Sequence, residues 1–182
     1  MSGSRQLILM AGGSSVLSYA LLWLAGNMPD WLPLPSDLFR YAPGFVFGAL
    51  VLQLGATSFG RRLGLILACG LIWFLMFRLA SQLVAQHDQS TLLACGLAGG
   101  LGAWLVSLVV RLLKPRRLSL LAMLIAFVTG TLGGCLIGQG LLESDESPWL
   151  DLLMISGFFV WQAGVGAAML LVDELGMDEP HV

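Results

Sequence analysis

Charged residues are scarce in this sequence. Only 11% of its 182 residues are Asp, Glu, Lys or Arg, whereas 57% are hydrophobic; a soluble domain typically has about 25% charged residues. So little charge cannot cover a water-soluble globule, and a mean hydropathy of +0.86 indicates a protein that lies in lipid. The nine basic residues are scattered and the net charge is −2, so the sequence has no basic patch of the kind that binds nucleic acid.

Residues that carry catalysis are also missing from the apolar segments. The two histidines, His87 and His181, lie outside those segments, and no Asp or Glu falls at hydrocarbon depth. We find no metalloprotease, serine-hydrolase or nucleotide-binding motif. Proton-driven carriers usually keep a carboxylate or histidine within the membrane. We therefore expect neither an enzyme nor a self-contained pump.

The three cysteines do not indicate a metal site. Cys69, Cys95 and Cys135 lie in apolar segments, without CxxC spacing and without a neighbouring histidine. Thiols in such surroundings are usually small apolar packing groups. The sequence predicts no metal and no cofactor.

Long apolar runs are abundant, and they predict an all-α polytopic membrane bundle. A helix needs about 20 apolar residues to cross the hydrocarbon. Residues 1–182 are interpreted as one domain with six spans, at about 6–25, 43–59, 63–85, 91–112, 118–142 and 150–172. The second span is short and contains Gln53; it is predicted either to begin earlier, near Leu38, with a bend at Pro43, or to be broken or re-entrant.

The basic residues predict the orientation of these spans. With a cytoplasmic N-terminus, the inner side has Arg5, Arg61, Arg62, Arg111, Lys114, Arg116 and Arg117, whereas the outer connections have only Arg40. This distribution follows the positive-inside rule and predicts both termini in the cytoplasm of a bacterial inner membrane. A basic start before an apolar run also describes a secretory signal. The length of that run and its poor cleavage site favour retention.

Small residues recur at the spacing that lets helices approach closely. This helix-packing set comprises Gly96, Gly100, Gly130, Gly134, Gly138 and Gly164, and span one adds Ser14 and Ser18. Lipid does not drive helices together, so close van der Waals contact across small residues must do so. Two interpretations stay open: packing within this chain, or a surface that binds a partner membrane subunit.

A short polar inventory remains inside the spans: Gln53, Arg78, Ser81, Gln82, Thr129, Thr131, Gln139 and Gln162. Arg78 and Gln82 share a helical face, and Gln139 falls at a similar depth. We expect these three residues to line a polar ligand pocket in the outer half, with Arg78 pointing into the bundle. The alternatives for Arg78 are snorkelling towards the headgroups, a structural pair, or contact with another chain.

Six short spans, cytoplasmic termini and a long first outer connection are similar in layout to the substrate-binding S-components of energy-coupling-factor vitamin transporters. The segment "PGFVFGALVLQLGATSFGRRLG" resembles the second span and inner turn of that family. The resemblance implies a solute site in the outer half and energy from separate subunits. The family's small-residue motif on span one is based on alanine, and the nearest positions here are Ser14 and Ser18, or Ala11 and Ser15.

Together, these features predict a transport or solute-binding subunit without its own energy module. The alternative is a structural or assembly subunit of a larger membrane complex, without a substrate of its own. The predicted partners are membrane lipid and other membrane subunits, and the small-molecule ligand is not specified by the sequence. A polar cavity in the outer half would favour the first interpretation, and a filled bundle the second.

Overall fold

The protein forms helices throughout the part of the chain that the structure describes. A computed structural model describes residues 3–27, 36–50, 58–86, 91–113, 120–143, 147 and 149–175. These ranges contain no strand. Their helices are α1 (Gly3–Gly26), α2 (Ser36–Leu50), α3 (Phe59–Gln86), α4 (Thr91–Leu113), α5 (Leu120–Leu142) and α6 (Trp149–Leu175).

Five of these helices, all except α2, are long and apolar enough to cross a membrane. The chain is therefore a multi-pass, all-α protein of the integral membrane type. Leucine, phenylalanine and tryptophan side chains cover the outer faces of the helices, and examples are Leu67 at 55% and Leu124 at 58% exposure. Such an apolar outer surface is suited to lipid.

The second helix differs from the predicted span. It begins at Ser36, seven residues before the predicted start, and Pro43 lies inside it. Its 15 residues extend about 22 Å, which is less than a hydrocarbon core of about 30 Å. Pro43 cannot donate a backbone hydrogen bond, yet the helix continues through it, and Pro43 is fully buried. Residues 51–57, including Gln53, lie outside the described ranges.

The helices form a closed ring in chain order. Each helix packs against the next, and α6 returns to α1. Neighbours run antiparallel: Gly99 meets Gly130 while Gly138 meets Thr91 across α4 and α5. As a result α1, α3 and α5 all begin at one end of the bundle, near Arg5, Arg61, Arg62 and Arg111. We call this the basic end.

The two halves of the ring are filled differently. The half at the basic end contains a hydrophobic core in which Phe47, Leu65, Val106 and Val165 are almost completely buried. Large side chains from all six helices contribute to this core. The other half contains a cavity, which is the candidate site described next.

Candidate functional site

A cavity of about 780 Å³ lies inside the ring, in the half opposite the basic end. This volume falls in the range of about 300–1,000 Å³ that is typical of small-molecule sites. Its lining comes from the second halves of α1, α3 and α5 and the first halves of α4 and α6, with Arg40 from α2. Most of the lining side chains are aliphatic or aromatic.

Aromatic rings form the deep end of the cavity, which we define as Trp73, Phe158 and Trp161. The Trp73 ring centroid lies 5.5 Å from that of Phe158 and 6.1 Å from that of Trp161. Beneath them the buried Phe47 ring packs against Trp161 at 4.7 Å. These tilted ring pairs separate the cavity from the hydrophobic core, and they offer an apolar surface to anything that enters.

The polar edges of both deep tryptophans are already bound within the protein. Trp161 Nε1 donates a hydrogen bond to the Gly99 carbonyl oxygen at 3.0 Å. Trp73 Nε1 donates to the Arg40 carbonyl oxygen, also at 3.0 Å. A buried indole N–H normally needs such a partner. Because both N–H groups are already bonded within the protein, they are not available to a ligand. The deep end is therefore suited to an apolar group.

Glycines shape the side of the cavity formed by α4 and α5. Gly99, Gly102 and Gly134 all line it. Gly99 and Gly134 are also close-packing positions, because a Cβ on Gly99 would lie 3.0 Å from the Gly134 Cα. The missing side chains bring the two backbones together and leave space beside them.

The hydroxyl side chains of the lining lie in the part farthest from the deep end, which we call the rim: Tyr19, Ser81 and Thr91. The Tyr19 hydroxyl donates a hydrogen bond to the Asp151 carboxylate and so joins α1 to the first turn of α6. Ser81 Oγ donates to the Phe77 carbonyl oxygen at 2.8 Å. Arg40 is the one charged residue among the described residues that line the cavity.

The predicted polar pocket does not match this cavity. Arg78, Gln82 and Gln139 are not among its lining residues. Arg78 and Gln82 are both exposed on α3, so the expectation that Arg78 points into the bundle is wrong. The exposed face of α3 carries Leu67 and Leu71 nearer the basic end, and Arg78 continues that same stripe. A ligand role for these residues stays a prediction.

Gln139 belongs to a different network, at the end of α5. Its Nε2 donates to Glu143 Oε1 at 3.3 Å, and Ser147 Oγ donates to Glu143 Oε2 at 3.0 Å. The backbone N–H of Trp149 then donates to Ser147 Oγ at 3.3 Å. This chain of bonds connects the end of α5 to the start of α6.

Gln162 connects α6 to the small-residue face of α1. It is fully buried, its Nε2 donates to Ser18 Oγ at 3.3 Å, and Ser15 Oγ lies 3.4 Å from its Oε1. Ser15 Oγ also donates to the Ala11 carbonyl oxygen at 2.6 Å. Such contacts across helices hold membrane bundles together. The Ser14 hydroxyl is buried without a hydrogen-bond partner among the described residues.

The predicted helix-packing glycines lie at contacts between helices of this chain. A Cβ on Gly130 would lie 2.5 Å from the Ala103 Cβ and 2.6 Å from the Gly99 carbonyl oxygen. Gly134 and Gly138 face Cys95 and Thr91 of α4, Gly96 and Gly100 face α5, and Gly164 faces Thr129 of α5. These glycines set the spacing of α4, α5 and α6.

Sequence reasoning missed the aromatic residues of the deep end. Trp73 and Trp161 stand in apolar runs ("LIWFLM" and "FFVWQAG") and resemble ordinary lipid-facing or core residues. One signal was available: both lie near mid-span, away from the interface where tryptophan is enriched. A mid-span indole needs a hydrogen-bond acceptor, which places it inside the bundle.

No protein-family model, curated protein or solved structure matches this chain. The layout similarity to S-components therefore depends on the order and length of the spans alone. Within the described ranges, no three His, Cys, Asp or Glu side chains come together as ligands for a metal ion.

Proposed function

We propose that this chain is an integral membrane subunit that binds a hydrophobic small molecule, for transport or presentation, without an energy module of its own. The observation that carries the proposal is the cavity of about 780 Å³ beside a well-packed core. An apolar cavity with a few polar groups at its opening is the usual form of a small-molecule site. A bundle built only for assembly has no need of such a space.

We propose that this cavity lies in the outer half of the membrane. Arg5, Arg61, Arg62 and Arg111 lie at the opposite end, and the positive-inside rule assigns that end to the cytoplasm. We infer a bacterial inner-membrane protein with cytoplasmic termini. Because α1 and α3 begin at the same end of the bundle, the chain has to cross back between them, and α2, which packs between these two helices, forms part of that sixth crossing.

Native mass spectrometry of the purified protein tests the binding function. We expect additional mass on the wild-type protein after release from detergent. Ala80 lines the cavity, so Ala80→Trp should fill part of it and remove that mass. Ala20 is exposed on α1 and is not among the lining residues, so Ala20→Trp is the matched control and should keep it. Wild-type protein that never carries a bound molecule would refute the proposal.

A second candidate function, assembly into a larger complex, is favoured by one observation. Arg78 and Gln82 are exposed on the membrane-facing side of α3, where a partner helix would give them hydrogen bonds. If assembly is the function, Gln82→Leu should release co-purifying membrane proteins while Ala80→Trp retains them. If ligand binding is the function, Ala80→Trp should remove the bound small molecule and Gln82→Leu should keep it.

A further inference from the structure

The depth and polarity of the cavity specify the class of ligand. We infer that the cavity holds a single-chain amphiphile, inserted hydrocarbon end first, with its polar end at the rim. This inference rests on the proposed binding function and names the shape and orientation of the bound molecule.

The cavity is about as deep as one leaflet of a bilayer. Its lining on α3 extends from Ile72 to Ala85, which is about 20 Å at 1.5 Å per residue. On α6 it extends from Leu150 to Trp161, or about 16 Å. Half of a hydrocarbon core of about 30 Å is about 15 Å. A hydrocarbon chain that leaves the adjacent leaflet could therefore enter the cavity while its polar end stays at headgroup level.

Polarity changes along the cavity in the direction that such a molecule requires. The deep end is apolar, because its ring N–H groups are already bound: Trp73 Nε1 and Trp161 Nε1 donate to the Arg40 and Gly99 carbonyl oxygens. A polar group placed there would lose its hydrogen bonds to water without gaining new ones. The described lining residues with hydroxyl side chains all lie at the rim, as Tyr19, Ser81 and Thr91.

The shape of the cavity also favours a thin molecule. The ring is closed by contacts between every pair of successive helices and between α6 and α1. Near the rim, the Tyr19–Asp151 hydrogen bond joins α1 to α6. A thin, flexible chain can occupy the space between these joined helices without parting them. Free fatty acids, single-chain phospholipids and isoprenoid alcohols share this chemistry.

Photo-crosslinking with positional isomers of one fatty acid tests the orientation. We would incubate the wild-type protein with octadecanoic acid that carries a diazirine near its methyl end, or near its carboxyl end, and map the adducts by peptide mass spectrometry. The methyl-end probe should label peptides that contain Trp73 and Trp161. The carboxyl-end probe should label those that contain Tyr19 and Thr91. Trp104, which is exposed and does not line the cavity, reports labelling from the detergent phase.

The controls separate this inference from the binding function. Ala80→Trp should abolish labelling at the deep end and leave labelling at Trp104 unchanged, and unlabelled single-chain lipids should compete. Equal labelling of Trp161 by both isomers, or competition by a sterol but not by single-chain lipids, would overturn the inference. If native mass spectrometry still detects a bound molecule in that case, the proposed binding function stands. Absence of any bound molecule refutes both.

Discussion

The Tyr19 hydroxyl donates a hydrogen bond to the Asp151 carboxylate and joins the second half of α1 to the first turn of α6. These helices are the first and last of the chain, so this bond closes the ring of helices at the rim of the cavity. Deeper in the bundle, the same two helices are joined by Gln162 with Ser15 and Ser18. The α1–α6 contact thus has one polar connection near the rim and one in its interior.

Removal of the rim connection should loosen this side of the ring. Tyr19→Phe deletes the donor, and because the bond is open to solvent we expect it to lower the free energy of unfolding by about 1 kcal/mol or less. Asp151→Asn is the matched control, since its amide oxygen still accepts from Tyr19. Thermal unfolding in detergent measures both variants. A larger loss for Asp151→Asn than for Tyr19→Phe would show that the carboxylate has another role.

The contact between α4 and α5 should tolerate no side chain at Gly130. In Gly130→Ala the new methyl group would meet the Ala103 Cβ and the Gly99 carbonyl oxygen, both within 2.6 Å. Overpacking of this kind typically costs about 1–3 kcal/mol, so the midpoint of thermal unfolding should fall clearly. In Gly13→Ala the same methyl group meets no atom within 4 Å and should change little. Equal midpoints for the two variants would contradict the close approach of these helices.

The buried hydrogen bonds of Gln162 should contribute less to the free energy of unfolding than their complete burial suggests. Gln162→Leu removes both contacts with α1 and leaves Ser18 without this partner, while Ser15 keeps its bond to Ala11. Measured hydrogen bonds between membrane helices average about 0.6 kcal/mol, so we expect a loss of about 1 kcal/mol in detergent unfolding. Gln82→Leu, at an exposed position of α3, should leave stability unchanged. A neutral Gln162→Leu would mean that packing alone holds α1 to α6.

The sequence predicted the helices well because their signal is local. Apolar runs and basic flanking residues gave α1, α3, α4, α5 and α6 to within a few residues at most ends. The exception was α2, which begins at Ser36, before the predicted span 43–59 and close to the alternative start near Leu38. Pro43 lies inside this helix and is buried, and that burial is a property of the packed bundle.

The cavity was not predictable from the sequence in the same way. Its deep end combines Trp73 of α3 with Phe158 and Trp161 of α6, and no local pattern relates positions so far apart in the chain. The sequence instead favoured Arg78, Gln82 and Gln139 as site residues, because a charged or amide side chain within a span is unusual. The structure places two of them on the outer surface and the third in a bond with Glu143.

The basic end should face the cytoplasm. In a background without native cysteines, Gly60→Cys lies at the start of α3, beside Arg61 and Arg62, and Asn27→Cys lies at the opposite end, just after α1. Both positions are exposed, so accessibility depends on the side of the membrane. A membrane-impermeant maleimide added to intact cells should label Asn27→Cys alone, and permeabilisation should add Gly60→Cys. Labelling of Gly60→Cys in intact cells would reverse the orientation.

Arg78 and Arg40 should respond differently to the loss of their charge. Arg78 is exposed on α3 and lies eight residues before the end of that helix, or about 12 Å from it, so its long side chain can reach the headgroups. Arg78→Gln should therefore leave both unfolding temperature and fatty-acid occupancy unchanged. Arg40 lines the cavity, and Arg40→Gln should lower occupancy by an anionic fatty acid more than by the alcohol of the same length, because only the acid carries a charge. Native mass spectrometry at matched ligand concentrations measures both. If Arg78→Gln lost occupancy instead, the exposed face of α3 would have to take part in binding, and the rim would not be the site of the polar end.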